Sequence, residues 1–314
     1  MNSRVHPKYK TKHHVTNWAE YERALIQRGD ISIWFSPKAA KAWNAKPSGR
    51  RGAPRKYSDF AIETALTLRL VFHLPLRQTE GFLNSLFEMM GVDLTAPDHT
   101  TLSRRSKQLN VKLRSIPTKG AIHLIVDSSG LSIVGEGEWA AAKHGRHGKR
   151  GWKNLHIGVD QAGVIVTQEL TDSTSDDAST ALRLLDEVKD DIKSFTGDAA
   201  YDTLAIYDAA GSPGARVVVP PFKSAVVSKR GPRSRARDRT IKRINKVGRR
   251  RWKKESGYHR QGTVENAFFR CKQIVGDRLR ARHANAQETE AVIACNVLNR
   301  MLQLGRPKSR AVAA

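Results

Sequence analysis

Gly257-Tyr-His-Arg-Gln-Gly-Thr-Val-Glu-Asn-Ala-Phe-Phe-Arg-Cys-Lys-Gln-Ile-Val275 reads as an amphipathic helix with a polar lead-in. Thr263 is placed to cap it. Val264, Phe268, Cys271 and Val275 recur at helical spacing as its buried face. Glu265 and Lys272 stand two helical turns apart, so a carboxylate and an ammonium share one face. Tyr258, Arg260 and Gln261 lie just upstream, within reach of the same place. Taken alone, such a stretch is equally well a surface helix with an incidental charge pair. Two aspartates earlier in the chain change that balance.

From residue 120 onward the pattern alternates. Ile122–Asp127 and Leu131–Val134 read as two short strands, Trp152–Val159 as a third and Gly163–Leu170 as a fourth. Asp176–Val188 is an amphipathic helix, Ile192–Thr196 a strand, Tyr201–Ala210 a helix and Ala215–Val219 a strand stopped by Pro220 and Pro221. Strands, helix, strand, helix, strand and a closing helix make an α/β fold, a ribonuclease H-like mixed-sheet layer. In that order Asp127 sits on the first strand, Asp198 just beyond the strand that follows the first helix, and Glu265 on the closing helix. The three carboxylates are expected to converge. Such a cluster repels itself unless cations neutralise it, and oxygen-only ligands suit Mg²⁺ or Mn²⁺. Two such ions, about 3.5–4 Å apart, would serve in-line phosphodiester displacement.

Charge points the same way. The 314 residues carry 55 Lys and Arg against 30 Asp and Glu, a net of +25, which calls for a polyanionic partner, nucleic acid by default and a membrane surface as the competitor. No apolar run approaches the roughly 18 residues of a membrane span, and the opening residues lack the apolar core of a signal peptide. Two cysteines, Cys271 and Cys295, indicate neither a disulfide framework nor a zinc site. A reducing cytoplasm is the expected location.

Residues 1–56 read as a basic, poorly periodic arm anchored by Trp18, Trp34 and Trp43, with 49–56 as a basic linker. Residues 57–116 read as a helical DNA-binding domain. Ser58 caps a helix over Asp59–Phe72, Leu76–Met90 forms a second, and Asp98 caps a third running to Leu109. This resembles a helix-turn-helix, in which Thr101, Ser103, Arg104 and Lys107 would face the groove; a small helical bundle shares the pattern. The catalytic domain spans 117–304, with an insertion at 222–256 and a frayed tail over 305–314. That insertion holds fifteen Lys and Arg against Asp238 and Glu255. It reads as a loop or arm, in which Arg249, Arg250 and Arg251 would grip a phosphate backbone. His144 and His147 in a glycine-rich loop are a weak metal pair.

Together these motifs resemble the DDE transposases of bacterial insertion sequences, of the insertion-sequence-five family. Within that family Asn17–Phe35 is most similar to the kanamycin-transposon branch. The family signature runs Tyr, two residues, Arg, three residues, Glu, six residues, Lys. Tyr258, Glu265 and Lys272 fall in register, Gln261 occupies the Arg position, and Arg260 stands one place early. Val126-Asp-Ser-Ser-Gly130 and Thr196-Gly-Asp-Ala-Ala-Tyr-Asp202 match the regions of the two family aspartates. The resemblance implies recognition of terminal inverted repeats by a homo-oligomer on paired ends, strand cleavage, and transfer of the 3′-hydroxyl to target DNA. A structure-selective nuclease of the same fold and a catalytically idle DNA-binding repressor are the alternatives.

Overall fold

The computed structural model describes residues 13–47, 49, 54–116, 118–135, 151–211, 214–228 and 231–311. The His144/His147 pair and part of the 49–56 linker lie outside them. The chain opens with a short strand, β1 (His13–Val15), and three helices, α1 (Trp18–Gln27), α2 (Ile31–Trp34) and α3 (Pro37–Lys41). These are not a poorly periodic arm. Trp34 and Trp43 are buried, as anchors should be, whereas Trp18 is 55% exposed.

Three longer helices follow: α4 (Asp59–Val71), α5 (Leu76–Met89) and α6 (His99–Ser106). Ser58 Oγ accepts from the Ala61 amide, and Asp98 accepts from the amides of Thr100 and Thr101, so both caps form. Residues 90–98 separate α5 from α6, longer than the 3–4-residue turn, roughly, of a helix-turn-helix. Arg105 is buried, donating to the Tyr57 carbonyl and pairing with Asp59, which locks α6 onto the start of α4.

The sheet begins with β2 (Ile122–Ile133), one continuous strand where sequence suggested two. Asp127-Ser-Ser-Gly130 looks like a turn because it is polar. Its residues instead sit in an antiparallel ladder with β3 (Trp152–Val159), Asp127 opposite Ile157 and Gly130 opposite Asn154. Next come β4 (Ile165–Asp172), α7 (Asp177–Glu187), β5 (Ile192–Thr196), α8 (Leu204–Gly211) and β6 (Arg216–Val218). Strand order is β4-β3-β2-β5-β6, with β2 antiparallel to β3 and parallel to β5. That mixed sheet, helices on both faces, is consistent with a ribonuclease H-like core.

The basic insertion is helical. Helices α9 (Arg235–Val247) and α10 (Arg249–Ser256) form a hairpin. It is tied down where Arg237 grips the buried carboxylate of Asp202 with two hydrogen bonds of 2.8 Å. Arg243 and Arg251 share Glu255 across the hairpin. Gly257 ends α10 in the left-handed conformation, φ +79°, which a side chain would strain. A 3₁₀ turn over Tyr258–Arg260 then runs straight into α11 (Gln261–Ile274). The helix thus starts before Thr263, which does not cap it.

Strand β7 (Arg278–Leu279) pairs with the far end of β2, and α12 (Ala284–Leu304) closes the fold. Residues 309–311, expected to fray, form β8 (Ser309–Ala311) and pair with β1. One face of α12 completes the core built from Trp34, Trp43 and helices α4 to α6, through Ile293, Ala294, Val297 and Met301. Its other side packs with α11 on the sheet, through Ala291, Cys295 and Leu298. The boundaries drawn at 56/57 and 116/117 therefore cross shared cores. Asn296 and Asn299 of α12 also bond the backbone at Lys112 and Arg114, and Asn299 bonds both the amide and the carbonyl of Ile165.

Candidate active site

Alternation along β2 decides where Asp127 points. Leu124 and Val126 pack on the α7 and α8 side, while Ile125 packs with Val264 and Phe268 of α11. A strand repeats every two residues, so Asp127 follows Ile125 toward α11. Because β5 runs parallel to β2 with Thr196 opposite Ile125, Asp198 emerges at the same level as Asp127. Its carboxylate accepts from the Ala200 amide at 2.8 Å, starting a 3₁₀ turn over Ala199–Tyr201. That turn brings the Tyr201 ring onto Gly197, where a Cβ would lie 2.7 Å from Tyr201 Cδ2. Glycine is what lets Asp198 and Tyr201 occupy adjoining space. Glu265 projects from the exposed side of α11.

The electrostatics report that these groups share one field. Burial raises the Asp127 carboxyl, the Ser128 amide partly offsets it, and the charges of Asp198, Glu265 and Asp177 raise it further, to about 6. Tyr258 is pushed up to about 12 by burial and then by Asp198, Glu265 and Asp127. None of the three carboxylates makes an ion pair with a described residue. Among the described residues, no three His, Cys, Asp or Glu side chains close on one metal-sized point. The donor chemistry still fits a hard divalent cation: oxygen ligands, mutual repulsion, no cationic side chain to satisfy them.

Asp177 is the residue that sequence reading missed. It opens α7 directly after the capping Asp176, and in sequence the pair reads as an ordinary acidic helix start. Packing of α7 brings its charge to bear on Asp127 and on the buried Tyr201 hydroxyl, which is also pushed up. His156, fully buried on β3, lies 3.5 Å from Asp177 through Nδ1 and 2.9 Å from Thr171 Oγ1 through Nε2. Burial lowers its pKa.

The residues expected on DNA are distributed unevenly. Gln261 is buried, 4% exposed, with Nε2 3.4 Å from the Val126 carbonyl. It lies between α11 and β2 on that single long contact, its Oε1 without a hydrogen-bond partner. Arg260 is half-buried, its guanidinium beside Gly257 and its charge acting on His123. Tyr258 packs under Lys253, whose Nζ lies 4.6 Å from the ring centroid. Lys272 is exposed on α11, one turn beyond the 63%-exposed Phe269. Arg249 donates to the Pro221 carbonyl at 2.8 Å and Arg251 pairs with Glu255, so Arg250 is the most outward of that trio. On α6 the hydroxyls of Thr100 and Thr101 both donate to Asp98, and Thr100, Ser103, Arg104 and Lys107 line its outer face.

Residues 118–300 match a family model described as a transposase DDE domain, and residues 26–136 match a second model with the same description. A protein of Aquifex aeolicus (strain VF5), described as uncharacterized, is 30% identical over 169 residues, 48% of this chain and 51% of that protein. The chain spans about half the length of that curated relative. No helix among the described residues is long and apolar enough to cross a membrane.

Proposed function

Because the chain belongs to the DDE transposase family, we propose that it binds the terminal inverted repeats of an insertion sequence of the insertion-sequence-five group, cuts the strands there and joins the freed 3′-hydroxyl to target DNA. The observation that carries this reading is the shared field of Asp127, Asp198 and Glu265, three carboxylates from separate parts of the chain that no described cation neutralises. Asp127, Asp198 and Glu265 would hold Mg²⁺ or Mn²⁺, two ions in the usual arrangement, which supply Lewis acidity and an activated oxygen at the scissile phosphate.

The protein's own groups do the positioning. Tyr258, on the rim of the carboxylate field, stays protonated at neutral pH and offers a hydrogen-bond donor to a phosphate oxygen. Lys272 on α11 and Arg250 on α10, both exposed, attract the strand. Arg104 and Lys107 on α6 engage the duplex, and base readout falls to that helix. The protein works as a homo-oligomer on paired ends in the bacterial cytoplasm, and its charge keeps it with the nucleoid.

The test is a two-step assay on duplexes carrying the element's ends. Cleavage is expected only with Mg²⁺ or Mn²⁺, and a pre-cut end is expected to join a plasmid. Cleavage without joining would leave a structure-selective nuclease. Asp198→Asn and Glu265→Gln are each expected to abolish cleavage with end binding kept. Activity within about tenfold of wild type would remove that residue from the site.

A further inference from the structure

Helix α6 and the segment after β7 face each other across a cleft of about 510 Å³, which opens through Leu76, Arg77, Ser103 and Lys107 into a second of about 610 Å³ along the outer face of α6. Arg69, Arg77, Arg104, Lys107, Arg280 and Arg282 line the pair, and no Asp or Glu does. Two carboxylates stand just behind the lining, Glu80, bonded to His99, and Glu290. At the floor, Arg69 is half-buried, its Nε has no hydrogen-bond partner, and the charge of Glu290 acts on it from behind. The far wall is built rather than loose. Glu290, buried in α12, accepts the amides of Arg280 and Ala281 at 2.9 and 2.8 Å, and Gln287 donates to the Ala281 carbonyl. Arg280 in turn reaches the Leu74 carbonyl and His73 at the end of α4. Arg77, Lys107 and Arg282 are exposed and form no ion pair with a described residue.

We propose that this cleft seats the sugar-phosphate backbone of duplex DNA, gripped at once by α6 and by the Arg280–Arg282 segment. The proposal rests on the DNA-processing function above and names where the duplex is held. Its geometry matters because Arg280 and Arg282 directly follow β7, which pairs with Ser132 and Ile133 of β2, the strand carrying Asp127. A backbone seated here touches the helical layer and the catalytic sheet together, so the duplex enters in a fixed relation to the carboxylates. Such contacts carry no sequence information and are strongly salt-dependent.

The experiment measures full-length protein on a random-sequence duplex by fluorescence anisotropy across a salt series. For Arg77→Gln/Arg282→Gln, the slope of log K against log[salt] is expected to fall by about 1.8, some 0.9 per lost phosphate contact. If the curves converge near 1 M salt, that is about 60-fold weaker binding at about 0.1 M. Lys189→Gln/Lys193→Gln, exposed just after α7 and on β5 and absent from the lining of both clefts, removes equal charge and should hold the wild-type slope. A wild-type slope for the cleft pair, or an equal fall for the control pair, would overturn the proposal. Should the double variant fail to fold, Arg282→Gln alone should lower the slope by about 0.9. Glu265→Gln is expected to keep the wild-type slope. Wild-type protein that binds with the steep slope but never cleaves would refute the transposase reading and leave the cleft standing.

Discussion

Asp127→Asn should produce a protein that cannot cut DNA yet is harder to unfold. Folding lifts the Asp127 carboxyl from 3.8 to about 6, through burial first and neighbouring carboxylates second. Each unit is worth about 1.4 kcal/mol, so carrying the charge at neutral pH costs about 3 kcal/mol. Partial solvent access reduces that to about 2 kcal/mol. The sign follows from a folded pKa above the unfolded one. The stability is fully present below about pH 4, where both states are protonated, and is lost as pH rises through about 6. Asparagine has no charge to lose, and its Oδ1 can still accept from the Ser128 amide, now at 2.9 Å. In EDTA at pH 7.5 the variant should therefore melt about 3 °C above wild type, a gap that closes toward pH 4. Adding Mg²⁺ should raise the wild type and leave the variant nearly unmoved. The reasoning fails if the two proteins melt together at pH 7.5, or if their difference ignores pH.

Gly197→Ala forces a Cβ to within 2.7 Å of the Tyr201 ring; thermal unfolding should show a loss of about 1–3 kcal/mol, with cleavage reduced as Asp198 shifts. Gln261→Ala should lower stability by about 1–3 kcal/mol by removing a buried brace, whereas Arg260→Ala should leave the melting temperature unchanged. Equal melting temperatures for that pair would show that Gln261 braces nothing. Arg237→Gln strips the buried Asp202 carboxylate of its partner, at about 3–5 kcal/mol, and limited trypsin digestion should then cut within 235–256 first.

Sequence carried the helical layer well because its signals are local. Ser58 and Asp98 are capping residues in front of periodic apolar runs, and both caps form. It carried the topology for a similar reason, since strand and helix periods differ. Two of its errors share one cause, polarity that looks like loop. Asp127-Ser-Ser-Gly130 satisfies its backbone in the ladder with β3, so its polarity broke nothing. The 235–256 helices have few apolar positions to reveal a period, Ile241 and Trp252 being the buried ones, and are fastened largely by ion pairs to Asp202 and Glu255. Gln261 stood at a position the signature gives to arginine, which drew attention to phosphate; only packing against Val126 reveals an inward side chain. Asp177 was invisible because its proximity to Asp127 arises from how α7 lies on the sheet, a long-range fact with no local trace.

The double duty of α12 reaches into how the protein is made. The apolar side of α4 to α6 is sealed by Ile293, Ala294, Val297 and Met301, so a chain still being translated holds α6 in an unfinished setting until that late helix clears the ribosome. A message broken upstream of α12 yields a polypeptide unable to hold α6 in its native pose. Truncated products are thus left with the apolar side of α4 to α6 open to solvent.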